Sequence, residues 1–168
     1  NNDGTKMYMC NISNNNAYQY SLSTAFDLST ASYDSVNFDM SGQSNGASDI
    51  VFNSDGTKMY MLGDTNDSVY QYSLSTGFDL STTSYDSVSF STLSQDNACK
   101  TMAFNPDGTK MFIIGTTSDY VYQYSLSTGF DLSTASYDSV SFSVASQESS
   151  ASGIAFKSDG SKMYVLGY

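Results

Sequence analysis

Along much of this chain apolar and polar residues alternate with a period of two. In "VYQYSLS" (69–75) Tyr70, Tyr72 and Leu74 share one face, while Val69, Gln71 and Ser73 share the other, which is the spacing of a β-strand. In "YDSVSFS" (85–91) Val88 and Phe90 alternate with Ser87, Ser89 and Ser91, which predicts an outer strand with one wet face. Two further segments, "KMYML" (58–62) and the short "DIVF" (49–52), are apolar on both faces. They predict strands sandwiched between neighbouring sheets. Sustained apolar spacing at three and four residues is missing, so amphipathic helices are not expected.

These four segments recur in order. "DGTKMY" begins at Asp3 and Asp55, "DGTKMF" at Asp107 and "DGSKMY" at Asp159, always 52 residues apart, and "VYQYSLSTGFDLST" stands at both 69–82 and 121–134. Three units and a remainder fill the chain, approximately 1–48, 49–100, 101–152 and a partial 153–168, as a single repeat domain. Four antiparallel strands in a unit of this length, apolar on both sides, predict an all-β protein built of β-propeller blades. Each blade buries its faces only against the next, so stacking supplies the core.

The connections fit this reading. Asp then Gly at Gly4, Gly56, Gly108 and Gly160 predicts a type I turn followed by a glycine at positive φ. Asp27, Asp79 and Asp131 in "FDLST" are read as caps of the turn between the third and fourth strands. The repeated Gln43, Gln95 and Gln147 are read as amides hydrogen-bonded to backbone. Tyr18, Tyr20, Tyr70, Tyr72, Tyr122 and Tyr124 are assigned to the core.

Composition then narrows the function. The chain has 17 acidic residues against 6 basic ones, no His and a net charge of −11. Such a surface repels phosphate backbones and anionic lipid, so nucleic-acid binding is excluded. No apolar run is long enough to span a membrane, so no membrane insertion is expected. Cys10 and Cys99 occupy different places in the repeat and form no recurring disulfide or metal framework. They are read as small fillers. The opening "NNDGTK", without Met, suggests a piece of something longer.

The phrases "FNPDGTKMF" (104–112) and "VYQYSLSTGFDLSTASYDSVSFSVASQ" (121–147) resemble a tandem β-propeller repeat of marine bacterial and phage surface proteins, distantly similar to YVTN and NHL propellers. The resemblance covers the whole chain. It implies a propeller and an extracellular, virion-surface or cell-surface setting, and it carries no catalytic residues to transfer.

Catalytic chemistry finds little material in the sequence. His, the usual proton carrier near neutral pH, is missing, as are Arg, a zinc-type Cys and His spacing, and a nucleophile elbow. The expectation is therefore a non-catalytic module for surface adhesion, recognising glycan or protein, and not an enzyme. The loop after the second strand varies most between units, which singles out Asn14, Asp64, Asp67, Asp119 and Tyr120 as ligand-binding candidates. No cofactor is expected, with calcium as the lesser alternative. Calcium held by the recurring Asp would call for a D-x-D-x-D-G loop, which is missing.

The partial unit predicts assembly. Ile154, Phe156, Met163 and Tyr164 in the last unit are expected to complete the blade that holds Met7 and Tyr8 in a second copy. The favoured partner is thus the chain itself, two copies closing a six-bladed ring, with an open filament as the other outcome. The runner-up function is self-assembly of this kind.

Overall fold

A computed structural model describes residues 1–167. It contains thirteen strands and three short 3-10 helices. In chain order the strands are β1 (Lys6–Asn11), β2 (Asn16–Leu22), β3 (Ala31–Asp39), β4 (Ala47–Phe52), β5 (Lys58–Gly63), β6 (Ser68–Leu74), β7 (Thr83–Ser91), β8 (Cys99–Phe104), β9 (Lys110–Gly115), β10 (Tyr120–Leu126), β11 (Ala135–Ser143), β12 (Ala151–Phe156) and β13 (Met163–Gly167). They form antiparallel sheets in the orders β1-β2-β3, β4-β5-β6-β7, β8-β9-β10-β11 and β12-β13. These are successive propeller blades, and the strands that open them, β4, β8 and β12, lie side by side.

The hydrophobic pattern decides which strands are deepest. Met59, Tyr60, Met61 and Leu62 of β5 are all fully buried, as expected of a strand apolar on both faces. Met59 and Met61 pack towards the first blade with Ala17, Met40 and Tyr72. Tyr60 and Leu62 pack towards the third with Met102, Met111 and Tyr124. The core therefore lies between blades, with stacking of one blade on the next supplying what a single sheet cannot. Of the six tyrosines assigned to the core, Tyr72 and Tyr124 are fully buried, while Tyr18, Tyr20, Tyr70 and Tyr122 are half-buried.

The outer strand departs from simple alternation. In the β6–β7 pair Gln71 faces Val88 and Tyr72 faces Tyr85, leaving Asp86 and Ser87 in a bulge, with Ser87 at φ 59°. The extra residues turn the Asp86 carboxylate inward. There it accepts from Lys58 Nζ at 2.7 Å, Gln71 Nε2 at 2.8 Å and Ser73 Oγ at 2.6 Å. The same network joins Asp34 to Lys6, Gln19 and Ser21, and Asp138 to Lys110 and Gln123.

The turns form as their chemistry dictates. Gly4, Gly56, Gly108 and Gly160 all have φ between 71° and 75°. Asp27, Asp79 and Asp131 each cap a 3-10 helix by accepting the N–H of the serine two residues on. The repeated glutamines differ from expectation. Gln43 and Gln95 are half-buried, and each side-chain oxygen accepts from a tyrosine hydroxyl, Tyr72 and Tyr124 respectively. The large tyrosine ring brings its hydroxyl to the amide before any backbone group reaches it.

Candidate functional site

The two ends of the blades differ in chemistry. At one end lie the Asp-Gly turns and the "FDLST" loops. At the other lie the loops 64–67, 92–98 and 116–119, which follow the second and fourth strands of their blades. A cleft of about 580 Å³ opens at the Asp-Gly end among Val51, Phe52, Met102, Phe104, Phe130 and Ile154, with no ionisable side chain in its wall. Its polar groups are the neutral side chains of Asn2, Ser54, Asn105 and Ser158.

The opposite end gathers charge at the junction of the second and third blades. Lys100, on innermost strand β8, donates to Asp64 Oδ1 across the junction at 2.8 Å, and both side chains remain about a quarter exposed, 26% each. The repeat places Ser48 and Ser152 where Lys100 stands, and Ile12 and Thr116 where Asp64 stands. The ion pair therefore belongs to this junction alone. The other lysines all lie at or beside the Asp-Gly end, which leaves Lys100 the one cation at this end of the described residues.

Two buried carboxylates lie behind the pair. Asp96 is 3% exposed and fully engaged, with Oδ1 accepting from Ala98 N at 2.8 Å and Oδ2 from Ser118 N and Oγ. Asp67 is 5% exposed and sits at φ 44°, and its buried Oδ1 has no hydrogen-bond partner. Burial raises the Asp67 carboxyl above its usual range, and the neighbouring charges of Asp64 and Asp96 add to the rise. Lys100 and the Cys99 N–H oppose it. On the adjoining inner strand, burial also raises Asp49, although its Oδ2 accepts from Met102 N and Thr101 Oγ1 at 2.9 Å each.

The residues singled out from loop variation fall in different places. Asp64 lies in the charged junction. Asp67 lies beside it but is buried, held there by the left-handed turn whose carbonyl accepts from Thr92 N. Asp119 occupies the equivalent turn of the next blade at φ 54°, with its carbonyl accepting from Val144 N. Asn14 is exposed and donates to the Tyr18 hydroxyl. Tyr120 is 37% exposed and stacks on Tyr122 with ring centroids 6.1 Å apart. Asn14 is on the first blade and Tyr120 opens β10 of the third blade, and neither is among the partners of the Lys100–Asp64 pair.

The assembly residues divide as well. Tyr8 is engaged within its own chain, its ring 4.5 Å from Phe52 and its hydroxyl donating to Phe78 O. Met7 and Tyr164 are exposed, and Ile154, Phe156 and Met163 are half-buried against the third blade. Lys100, Asp96 and Asp49 were not among the expected site residues. Their signal was present as a departure from the repeat at a single unit, which loop variation alone does not weigh.

No protein-family model and no curated protein matches the sequence. Solved structures do match the fold. A candidate 6-phosphogluconolactonase from Bacteroides uniformis superposes with a TM-score of 0.67 at 11% identity, covering 97% of this chain and 44% of that one. A protein from Lactobacillus plantarum matches with a TM-score of 0.66 at 12% identity over 96% and 45%. A periplasmic gluconolactonase from Pseudomonas aeruginosa matches with a TM-score of 0.64 at 12% identity over 98% and 44%. This chain has a propeller-type fold. It spans somewhat under half the length of the structures it matches.

The comparison corrects the functional expectation. A non-catalytic adhesion module, with self-assembly as its runner-up and enzymatic activity excluded, does not stand beside propellers that carry the names of lactonases. The exclusion leaned on the missing His and Arg. Ester chemistry also runs on a carboxylate and an ammonium group, and the junction holds both. Among the described residues no helix is long and apolar enough to cross a membrane.

Proposed function

We propose that this chain is part of a propeller hydrolase that opens an uncharged ester or sugar lactone at the junction of its second and third blades. The observation that carries the reading is the Lys100–Asp64 pair, about a quarter exposed, with Lys100 near the start of an inner strand where sister units carry Ser. In this reading Asp64 takes a proton from water as the water oxygen bonds to the carbonyl carbon. Lys100 faces the carbonyl oxygen as it gains negative charge. The ring C–O bond then breaks, the departing alkoxide takes up the proton, and the product is a hydroxy acid.

Charge chooses between substrates. Lys100 is a single cation beside Asp64, Asp67 and Asp96 on a chain of net charge −11. A phosphorylated lactone would bring its phosphate into that field with no second cation to meet it. An uncharged lactone pays no such cost, and its carboxylate product is repelled once formed. A setting outside the cytoplasm accords with this reading, since external salt screens the acidic surface.

The test is proton release from D-glucono-δ-lactone and from its 6-phosphate, followed at constant pH. The uncharged lactone is expected to open faster with the protein than without it, and the phosphorylated one no faster than in buffer. Lys100→Ala and Asp64→Asn are each expected to reduce the acceleration by about 100-fold. Equal rates with and without protein on both lactones overturn the proposal.

A further inference from the structure

At each complete junction between blades the molecule uses one set of contacts. Gln19 Oε1 accepts the N–H of Leu80, and Gln71 Oε1 that of Leu132, both at 2.8 Å. Phe38 meets Tyr72 edge-on, and Phe90 meets Tyr124 likewise, with ring centroids 5.4 Å apart in both pairs. Met59 and Met61 in one blade, and Met111 and Ile113 in the next, are fully buried.

Both halves of this set recur unmatched at the two outer faces. On the third blade Phe142 is 62% exposed, and among the described residues Gln123 Oε1 accepts no hydrogen bond while its Nε2 holds Asp138. Leu126 and Val121 of that blade are buried, so the apolar exposure centres on Phe142 and Val140. On the first blade Leu28 is 70% and Phe26 77% exposed, Met7 and Met9 are 38% and 47% exposed, and Tyr20 is half-buried. These residues stand one repeat before Leu80, Phe78, Met59, Met61 and Tyr72, the ones that fill the complete junction.

We infer that the two faces join between two copies of this chain, with β1-β2-β3 of one copy seated on β8-β11 of the other and the reverse contact closing a ring of six blades. Leu28 N then donates to Gln123 Oε1, Tyr20 meets Phe142, and Met7 and Met9 enter the place of Met163 and Val165. For this, β1 pairs with β12 and displaces β13. That strand is the one to yield, because Tyr164 and Leu166 on its far side are 56% and 69% exposed, whereas Tyr8 of β1 is already packed on Phe52 and bonded to Phe78. A second copy is the fitting occupant because it presents the same residues that fill this junction twice within the chain.

Mass in solution decides the matter, and it is read without substrate, so it stands or falls apart from the hydrolytic reading. Light scattering across a dilution series is expected to give a discrete species of twice 18.2 kDa. Since each copy carries a net charge of −11, added salt is expected to tighten it. Phe142→Asp and Leu28→Asp alter residues exposed in the single chain, so circular dichroism stays unchanged while the dissociation constant rises at least about 30-fold. A monomer at every concentration, an open-ended mass distribution, or a dimer indifferent to both substitutions overturns the inference.

Discussion

Gln71 and Leu132 lie 61 residues apart, and the side-chain oxygen of the first accepts the buried backbone N–H of the second at 2.8 Å. Leu132 opens a 3-10 helix, whose leading N–H groups have no partner within the helix. The neighbouring blade supplies that partner. The other end of the same amide donates to Asp86, so one side chain ties an ion pair in its own blade to a helix start in the next.

Removing that side chain therefore strands the buried Leu132 N–H and takes one of three donors from the half-buried Asp86 carboxylate. Gln71→Ala is expected to destabilise the chain by about 2–4 kcal/mol, since a buried group left unpaired costs about 1–3 kcal/mol. Gln123→Ala removes the bond to Asp138 but strands no helix N–H within the chain. It is expected to cost about 1 kcal/mol in the single chain. Urea unfolding of the two variants, compared at a concentration where the chain is monomeric, measures the difference.

Acid acts on the same network. Burial works to raise the carboxyls of Asp34, Asp86 and Asp138, but hydrogen bonds from lysine, glutamine and serine outweigh it. Asp34 and Asp138 are held at about 2, against an ordinary value near 4 in the unfolded chain. A carboxyl lowered by folding stabilises the fold above its unfolded value and loses that contribution as it is protonated. Stability is therefore expected to fall as pH drops from about 5 to about 2. Asp86→Asn flattens part of that slope, which urea midpoints across the pH series would reveal.

Much of this was legible in the residues themselves. The 52-residue period fixed the blades, and Asp-Gly and Phe-Asp-Leu placed the turns, because turn chemistry and period-two alternation act locally. The bulge at Asp86 and Ser87 was not legible. Its cause lies in Lys58 and Gln71 on other strands, which draw the carboxylate inward. The site was obscured for a similar reason. Asp64 stands out in its loop, but its meaning depends on Lys100, 36 residues away and across a blade junction.

The Asp-Gly turns allow a backbone effect to be separated from a packing effect. Gly56 has φ 74°, and a Cβ there would lie 2.4 Å from the ring of Phe78. Gly160 has φ 71° with nothing within 4 Å of such a Cβ. Gly160→Ala is expected to cost about 1 kcal/mol for the left-handed backbone alone. Gly56→Ala adds the displacement of Phe78 and is expected to cost about 1–3 kcal/mol more. Thermal unfolding of the pair reads the difference directly.

The thiols should report burial. Burial pushes Cys10 up to about 11 and Cys99 up to about 12. Thiolate is the reacting form, so both should be slow towards a disulfide reagent at pH 8. Cys99 is 1% exposed and Cys10 half-buried. Cys10 is expected to react first in the native protein and Cys99 only as the chain unfolds, which mass spectrometry of the labelled peptides would distinguish.

One position tests the junction by gain instead of loss. Tyr8 and Tyr60 each donate a hydroxyl hydrogen bond to a backbone carbonyl of the next blade, Phe78 O and Phe130 O. The third member of the series is Phe112, which has no hydroxyl and packs on Phe156 at 4.5 Å. If a second copy seats its Phe26 where Phe78 and Phe130 sit at the other junctions, Phe112→Tyr supplies the missing donor to Phe26 O. A hydrogen bond of this kind contributes about 1 kcal/mol, and the closed ring makes it twice, so the dimer is expected to be roughly 30-fold tighter. In the monomer the new hydroxyl faces an open cleft of about 380 Å³ lined by Phe104, Lys110 and Phe156, where water satisfies it, and unfolding is expected to be unchanged. A tighter dimer with an unaltered monomer is the signature of a contact made only between copies, and sedimentation equilibrium of the variant beside the parent chain measures it.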